Sequence, residues 1–279
     1  MPDLVTLAAP GMSITLDLAL GGRATSWLVD DCEVLGSGSS VPLEKGMYPM
    51  APWVGRVRDN TLRHGGGTHL LPASYGEWAL HGTVLAAPSV LLSCTSTDEG
   101  AEASIVTDLG PDWPWAGRLT SRWRVRADCV TTVLTLETEG EAFPGVLGWH
   151  PWFRRRLGDG PAARWHLPEP RLAERLEAFR LSGRLTSVDL SSRVVDDAFL
   201  VEGRSAWIEW PGQLRIDLSS SHPWFVVFDG LPDYICIEPQ SGPPNGINDG
   251  IVAPVTIVVP GQPLELVNEW QVIRAQPGG

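Results

Sequence analysis

Apolar and polar residues alternate along much of the sequence with a period of two. Residues 13–20 carry an isoleucine or a leucine at every second position. Residues 119–126 set Leu119, Trp123 and Val125 against threonine and arginine. A period of two is typical of a strand that buries one face and exposes the other. The pattern therefore predicts half-buried antiparallel strands.

Several of these segments come in pairs separated by a short turn sequence, which predicts β-hairpins. The predicted pairs are 119–126 with 130–137, 207–210 with 214–218, and 225–228 with 234–237, and the last predicted strands are 255–259 and 264–272. Only residues 171–180 show helical spacing, with Leu172, Leu176 and Phe179 following Pro170. That spacing predicts one helix.

The prediction for the whole chain is an all-β fold, a large antiparallel β-sandwich. With 279 residues, 30 glycines and 24 prolines, the chain is long enough for a large core and rich in turn formers. Sandwiches of this length are commonly one domain, and no linker or repeat interrupts the pattern. We therefore predict a single domain over residues 1–279.

Charge and hydropathy narrow the classes of partner. Lys plus Arg number 21 against 33 Asp plus Glu, a formal charge of -12, and no basic run occurs that would follow a phosphate backbone. The first residues lack the positively charged start and apolar run of a secretory signal, and no stretch reaches 18 apolar residues. We expect a cytoplasmic protein that binds neither nucleic acid nor membrane.

The four cysteines are isolated from one another in the sequence. Cys32, Cys94, Cys129 and Cys236 show no C-x-x-C spacing. This favours buried free thiols over a disulfide framework or a zinc site. No motif for binding phosphate, dinucleotide or zinc is found either, so we predict neither a metal nor a cofactor.

The first candidate for chemistry is the histidine of the sequence GWHPWF, residues 148–153. Pro151 disfavours a helix at His150 and so predicts an extended or turn backbone there. An imidazole with a pKa of ~6.5 donates or accepts a proton at neutral pH, and tryptophan faces suit the C–H surface of a sugar. Taken alone, the pattern favours a core histidine at a strand end.

The second candidate is the glutamate of the sequence YICIEPQ, residues 234–240. An apolar strand ending in Glu238 and Pro239 places a carboxylate at the rim of a sheet, where partial burial raises its pKa towards that of a useful base. The alternative is a strand-end glutamate that accepts hydrogen bonds from the amides of the next turn, which is the commoner role.

The third candidate combines Arg56, in the sequence APWVGRVRD, with His81, in ALHG. A buried guanidinium needs polar partners, and the hydroxyls of a sugar would serve. Gly82 beside His81 permits close approach of a ligand. The alternatives are a buried ion pair for Arg56 and a solvent-facing turn for His81.

The order of these motifs resembles that of one family. APWVGRV, LHG, HPWF, DDAFL and CIEPQ follow one another as in the aldose 1-epimerase (galactose mutarotase) family, and the resemblance spans almost the whole chain. The WALHGT sequence lacks the longer N-H-L-H-G-G stretch, so the chain resembles the shorter, divergent bacterial branch. The resemblance implies a cofactor-free β-sandwich enzyme that opens and recloses a pyranose ring.

The resemblance also implies roles for single residues. His150 would give a proton to the ring oxygen of a free aldose and Glu238 would take one from the anomeric hydroxyl, while Arg56 and His81 would bind hydroxyls. Asp196 would hold further hydroxyls, although Asp197 is an alternative. The remaining candidates for contact with the sugar are Gln240 and the tryptophans Trp53, Trp152 and Trp224, each of which could equally belong to the core. We expect a monomer or a weak homodimer.

Three other functions stay open at this point. A hexose-6-phosphate 1-epimerase would need extra cations at the site, for which Arg58, Arg63, Arg118 and Arg154 are available. A carbohydrate-binding protein of the same fold would bind sugar without turnover. A glycoside hydrolase would require two carboxylates, such as Glu238 and Asp196, and would leave His150 without a role.

Overall fold

Two large antiparallel sheets make up most of the protein. The computed structural model describes residues 3–36, 41–176, 180–190, 194–248 and 250–275. Apart from 3-10 turns at Leu18–Leu20, Pro42–Glu44 and Arg58–Asn60, the described residues form strands, turns and loops. No helix in these ranges has the length and hydropathy needed to span a membrane.

The first sheet has 12 strands and carries the candidate site. Its main path is, in spatial order, β1 (Leu4–Ala9), β2 (Met12–Asp17), β3 (Arg23–Val29), β5 (Met47–Met50), β13 (Gly148–Pro151), β22 (Tyr234–Gln240), β21 (Trp224–Phe228), β18 (Asp196–Leu200), β16 (Arg171–Arg175) and β17 (Leu181–Ser187). Off this path, β4 (Cys32–Glu33) pairs with β3 and β14 (Phe153–Arg154) pairs with β22.

The second sheet has eight strands. Its order is β15 (Arg164–His166), β19 (Ser205–Trp210), β20 (Leu214–Ser220), β24 (Leu264–Arg274), β11 (Cys129–Glu137), β10 (Arg118–Arg126), β9 (Gly100–Asp108) and β8 (Val90–Thr97). Two small sheets pair β6 (Thr61–His64) with β7 (Gly67–Leu70) and β12 (Phe143–Pro144) with β23 (Ile257–Val258).

Aromatic side chains join the two large sheets. Trp149 of the first sheet meets Trp123 of the second edge-on, with ring centroids 4.8 Å apart. Trp27 and Trp270 make a similar contact at 6.1 Å. All four tryptophans are at most 1% exposed. Burying side chains of this size supplies much of the hydrophobic stabilisation that holds one sheet against the other.

The structure confirms the three predicted hairpins. β10 pairs with β11, β19 with β20, and β21 with β22, all antiparallel. The strand predicted to run to Leu20 ends instead at Asp17, whose side chain accepts a hydrogen bond from the Ala19 amide and begins a 3-10 turn. Of residues 255–259, only Ile257–Val258 form a strand, and it lies outside the large sheets.

The helix predicted over residues 171–180 is wrong. Arg171–Arg175 form strand β16, which pairs on one side with β18 and on the other with β17. Leu176 is 42% exposed, and Phe179 falls outside the described residues. Backbone hydrogen bonds to two neighbouring strands outweigh a helical spacing that rests on three apolar residues.

The burial predicted for the cysteines is correct for Cys236 alone. All four cysteines are free thiols, but Cys32 and Cys94 are exposed and Cys129 is half-buried. The thiols of Cys32 and Cys94 therefore add nothing to the core.

The loop that carries His81 is held against β5 by a close backbone contact. Gly82 forms a parallel bridge with Ala51, and the Thr83 amide donates to the Ala51 carbonyl at 2.9 Å. Gly82 has a φ of 80°, and a Cβ there would lie 1.9 Å from the Ala51 oxygen. Only glycine fits this position.

We expect Gly82→Ala to lower the free energy of unfolding by about 3 kcal/mol or more, because backbone strain and a backbone clash add. Gly212→Ala is the matched control, since Gly212 has a φ of 75° and a Cβ added there would meet no atom within 4 Å. It should cost about 1 kcal/mol. Urea unfolding measures both, and equal losses would mean that the Ala51 contact does not constrain the loop.

Candidate active site

His150 and Glu238 stand directly opposite each other on neighbouring strands. Gly148 pairs with Gln240, and Phe153 pairs with Ile235. Both pairs follow one antiparallel register, and the same register places His150 opposite Glu238. Residues that are opposite in this way have side chains on the same face of a sheet. Two residues that are 88 positions apart in the chain are thus brought together.

Alternation along each strand aims these two side chains away from the core. Trp149 is fully buried between the sheets, so His150, its neighbour, projects from the other face of β13. Ile237 packs in the same core, so Glu238 projects from the same outer face. The apolar residue before each functional group therefore fixes the direction in which that group points.

The imidazole and the carboxylate are in contact. His150 Nε2 lies 3.3 Å from Glu238 Oε1, and the two side chains are 7% and 3% exposed. Gln240 donates from Nε2 to Glu238 Oε2 at 3.1 Å. The Gln240 amide oxygen is buried without a hydrogen-bond partner within the described ranges, so it is available to accept a bond from a ligand hydroxyl.

Two aromatic rings stack on the imidazole. Tyr48 stacks on His150 with centroids 4.8 Å apart, and Trp152 stacks on it at 5.1 Å. The Leu43 carbonyl accepts hydrogen bonds from both rings, from the Tyr48 hydroxyl at 3.2 Å and from Trp152 Nε1 at 2.8 Å. One carbonyl therefore fixes the two rings that stack on His150.

A fully buried arginine lies behind this stack. The Arg23 guanidinium is 5.0 Å from the Tyr48 ring centroid. It donates to the carbonyls of Leu20, Lys45 and Leu85. Burial lowers its pKa to about 10, which still leaves it charged at neutral pH. The positive charge beside Tyr48 adds to the burial that keeps His150 uncharged.

Burial favours the uncharged forms of both His150 and Glu238. It lowers the pKa of His150 to about 3, against an opposing backbone hydrogen bond and with a smaller contribution from Arg23. It also raises the pKa of Glu238 well above its usual value, and the charge of Asp196 raises it further. The 3.3 Å contact is thus a hydrogen bond around one shared proton rather than an ion pair.

His81 presents a hydrogen-bond donor to the same site. Its Nδ1 accepts from the Gly55 amide at 3.2 Å, and its own amide donates to the Gly55 carbonyl at 3.1 Å. Burial lowers the pKa of His81 well below 6.5, and the nearby His150 and Arg56 lower it further. A neutral imidazole with Nδ1 as acceptor carries its proton on Nε2.

Arginines and aspartates line the opposite side of the site. Arg175 approaches Asp196 at 3.8 Å and Asp197 at 3.6 Å. Burial lowers the pKa of the Arg56 guanidinium, while the charge of Asp196 opposes this shift. Asp196 also raises the pKa of Glu238, so its charge acts on groups on both sides of the site. Its side chain is 51% exposed.

These groups surround one cavity of about 330 Å³, at the lower end of the ~300–1,000 Å³ usual for small-molecule sites. The polar lining residues are Glu44, Tyr48, Arg56, Tyr75, His81, His150, Trp152, Arg175, Asp196, Asp197, Glu238 and Gln240. A floor of Val226, Ala198 and Ala173 continues from Glu238 across the next strands. The cavity therefore combines hydrogen-bonding walls with an apolar floor.

Most residues predicted for the site line this cavity, but two of the tryptophans do not. Trp152 lines it with one face already stacked on His150. Trp53 is 1% exposed and packs on Trp113, and it borders a different hollow. Trp224 is buried in a small cluster with Ala173 and Ala198. Trp53 and Trp224 are core residues here, so stacking of either one on a ligand in this cavity is not supported.

Sequence reasoning missed Tyr48, Arg175 and Arg23. Tyr48 belongs to the apolar sequence MYPM just before the APW motif, and it reads as core. Arg175 fell within the segment predicted as a helix. If residues 171–175 are read as a strand, Ala173 and Arg175 fall on one face, which is the signal that would have found Arg175. Arg23 follows a Gly-Gly turn, and nothing in its neighbourhood indicates full burial.

Comparisons with known proteins agree with this picture. The family model described as aldose 1-epimerase matches residues 3–267. No curated protein gives a significant match. A galactose mutarotase-like protein from Clostridium acetobutylicum shares the fold, with a TM-score of 0.84, 16% identity, and 97% of this chain and 95% of that chain covered.

Two further solved structures show the same galactose mutarotase-like fold. The Slr1438 protein from Synechocystis sp. PCC 6803 aligns with a TM-score of 0.78 and 21% identity, over 99% of this chain and 97% of that chain. Galactose 1-epimerase from Lactobacillus acidophilus NCFM aligns with a TM-score of 0.75 and 16% identity, over 98% and 95%. At these identities the structures establish the fold, and the family model, which spans nearly the whole sequence, establishes that the chain belongs to the aldose 1-epimerase family.

Proposed function

We propose that the protein interconverts the α and β anomers of a free, unphosphorylated aldohexose such as glucose or galactose. The contact between His150 and Glu238 on the cavity floor is the observation that carries this proposal. We propose Arg56, His81, Asp196 and Gln240 as the groups that bind the sugar hydroxyls. No cofactor is needed for the steps below.

The spacing of the pair suits the two oxygens that must exchange protons. The anomeric hydroxyl O1 and the ring oxygen O5 are both bonded to C1, so they lie close together. Groups 3.3 Å apart can reach two such oxygens at the same time. Proton transfer requires heavy-atom distances of ~2.6–3.2 Å, which a sugar seated above the pair satisfies.

The proposed reaction uses the one proton shared by the pair. Transfer of that proton from Glu238 to His150 gives a carboxylate beside an imidazolium. The carboxylate takes the proton from O1 while the imidazolium protonates O5, so the C1–O5 bond breaks and C1 becomes an aldehyde. Rotation about C1–C2 and the reverse transfers close the ring on the other face. Each group returns to its first state, and atoms and charge balance.

The surrounding residues favour a polar substrate in one orientation. The His81 Nε2–H group and the Arg56 guanidinium donate hydrogen bonds, whereas Asp196 and the Gln240 amide oxygen accept them. Donors and acceptors are therefore both available, as a set of hydroxyls requires. The apolar floor at Val226 and Ala198 suits the C–H face of a ring.

The charge of the cavity favours free sugars over sugar phosphates. Two arginines, Arg56 and Arg175, face three acidic residues, Glu44, Asp196 and Asp197, in addition to the uncharged Glu238. The cations available for a hexose-6-phosphate epimerase, Arg58, Arg63, Arg118 and Arg154, do not line it. Arg118, for example, pairs with Glu137 and Glu139 on the other sheet. A dianion would meet a net negative wall.

The other two alternatives fit less well. A pure binding protein has no need to bury an imidazole against a carboxylate, since that arrangement disfavours both charged forms. A hydrolase would use Glu238 with a second carboxylate on the other side of the scissile bond. The group in contact with Glu238 is His150, and Asp196 is paired with Arg175.

We expect His150→Asn and Glu238→Gln each to slow anomer exchange by roughly 10²–10⁴-fold with little change in KM, because each removes one proton-transfer group. His166→Asn and Glu209→Gln, on strands of the second sheet, are the matched controls and should keep wild-type rates. Exchange NMR on an equilibrium mixture of glucose anomers measures the rate. Near-wild-type exchange in either site variant would remove that residue from the mechanism.

We expect glucose and galactose to be turned over at least about tenfold more efficiently than glucose 6-phosphate, since the cavity wall repels the phosphate. Polarimetry from pure α anomers gives kcat/KM for each sugar. A preference for the phosphate would establish the alternative epimerase instead.

We expect Glu238→Gln to stabilise the fold, and by more as the pH rises. The raised pKa means that the folded protein holds this proton more tightly than the unfolded chain does. Above the unfolded pKa near 4.5, the wild type therefore loses stability with increasing pH, whereas glutamine has no proton to lose. The difference in Tm between variant and wild type should be larger at about pH 8 than at about pH 5. A difference in Tm that becomes smaller as the pH rises would contradict the raised pKa of Glu238.

A further inference from the structure

Cys236 is a buried thiol that the proposed reaction does not use. It lies on β22 two residues before Glu238, so both side chains project from the same face of that strand. The register that places His150 opposite Glu238 places Trp152 opposite Cys236. The thiol is fully buried and lies outside the cavity lining, beside the acid/base pair.

Three different metal-ligating atoms converge at this point. The ligand atoms of His150, Cys236 and Glu238 all lie within 4.8 Å of one another. Bonds of ~2.0–2.2 Å to a tetrahedral Zn²⁺ separate nitrogen and oxygen ligands by ~3.3–3.6 Å. The 3.3 Å between His150 Nε2 and Glu238 Oε1 already matches this separation. Only the sulfur must approach, by roughly 1 Å, which rotation of a side chain supplies.

We propose that His150, Cys236 and Glu238 form a site for a thiophilic divalent cation such as Zn²⁺, with its fourth position open to the cavity. A thiolate, a carboxylate and a neutral imidazole around a dication form a set without net charge, which suits a dry cavity floor. Burial and the charge of Glu238 raise the pKa of the Cys236 thiol, and the metal releases its proton on binding.

The bound ion inhibits the proposed reaction. It occupies Nε2 of His150 and a carboxylate oxygen of Glu238, the atoms that would exchange protons with the sugar. Inhibition rests on the proposed function, whereas metal binding does not. The thiol sets the chemical class of the ion, because sulfur favours Zn²⁺ and Co²⁺ over Mg²⁺ and Ca²⁺.

The test uses metal-free protein in a background in which the exposed Cys32 and Cys94 are replaced by serine, so that surface thiols do not contribute. We expect Co²⁺ to bind in a 1:1 ratio with a near-ultraviolet thiolate-to-cobalt absorption band. Cys236→Ala should abolish this band and weaken Zn²⁺ binding, measured by calorimetry, at least about tenfold. Cys129→Ser, which removes a half-buried thiol on β11, should leave both unchanged.

The kinetic arm measures anomer exchange with Zn²⁺ present. We expect reversible inhibition, relieved by EDTA, in the background protein and in Cys129→Ser, and at least about tenfold weaker inhibition in Cys236→Ala. Cys236→Ser provides a second variant if the alanine variant has too low a Tm to be assayed. Absence of the cobalt band, unchanged Zn²⁺ affinity in the Cys236 variants, or full activity of the zinc-loaded protein would each overturn the proposal. A protein that binds Co²⁺ through Cys236 but exchanges no anomers would refute the proposed function and leave the metal site standing.

Discussion

The pairing of β13 with β22 is the constraint on which the rest of the site depends. It places His150 opposite Glu238, and the register is maintained by the core residues that alternate with them, Trp149 and Ile237. A slip of one residue on either strand would drive an ionisable group between the sheets and a tryptophan or isoleucine into the cavity. Hydrophobic burial on one face therefore enforces the contact between His150 and Glu238 on the other.

The site is rigid because most of its parts are held from two sides. His150 is stacked with two rings that share the Leu43 carbonyl, and Tyr48 in turn lies against a buried guanidinium with three carbonyl partners. A group fixed in this way does not have to be ordered when substrate arrives. The burial that provides this order also disfavours the charged forms of His150 and Glu238. Burying these two ionisable groups therefore lowers the free energy of unfolding at the position of the proposed chemistry.

Local patterns predicted the hairpins, because each one joins two alternating segments across a short turn. They could not predict that β13 lies between β5 and β22, since that order depends on contacts between residues far apart in sequence. The same limit explains the error at residues 171–180, where pairing with β18 decides the structure. Trp53 and Tyr48 show the same limit for the residues of the site. Both lie in apolar sequence, and only the three-dimensional packing shows that the tyrosine meets the cavity while the tryptophan does not.

The position of Cys236 follows from the alternation that positions Glu238. A strand that presents a carboxylate to a cavity presents the residue two places earlier to the same face, one step away along the strand. Spacing between cysteines carries no trace of such a site, because its other ligands come from a histidine on a different strand and a glutamate. What keeps the thiol out of the cavity is its surroundings, in which Trp152 and Phe228 occupy the positions opposite it on the two neighbouring strands. The same sheet thus brings a soft ligand within 4.8 Å of the ligand atoms of the proposed proton-transfer pair, while the two aromatic rings lie beside the thiol on the neighbouring strands.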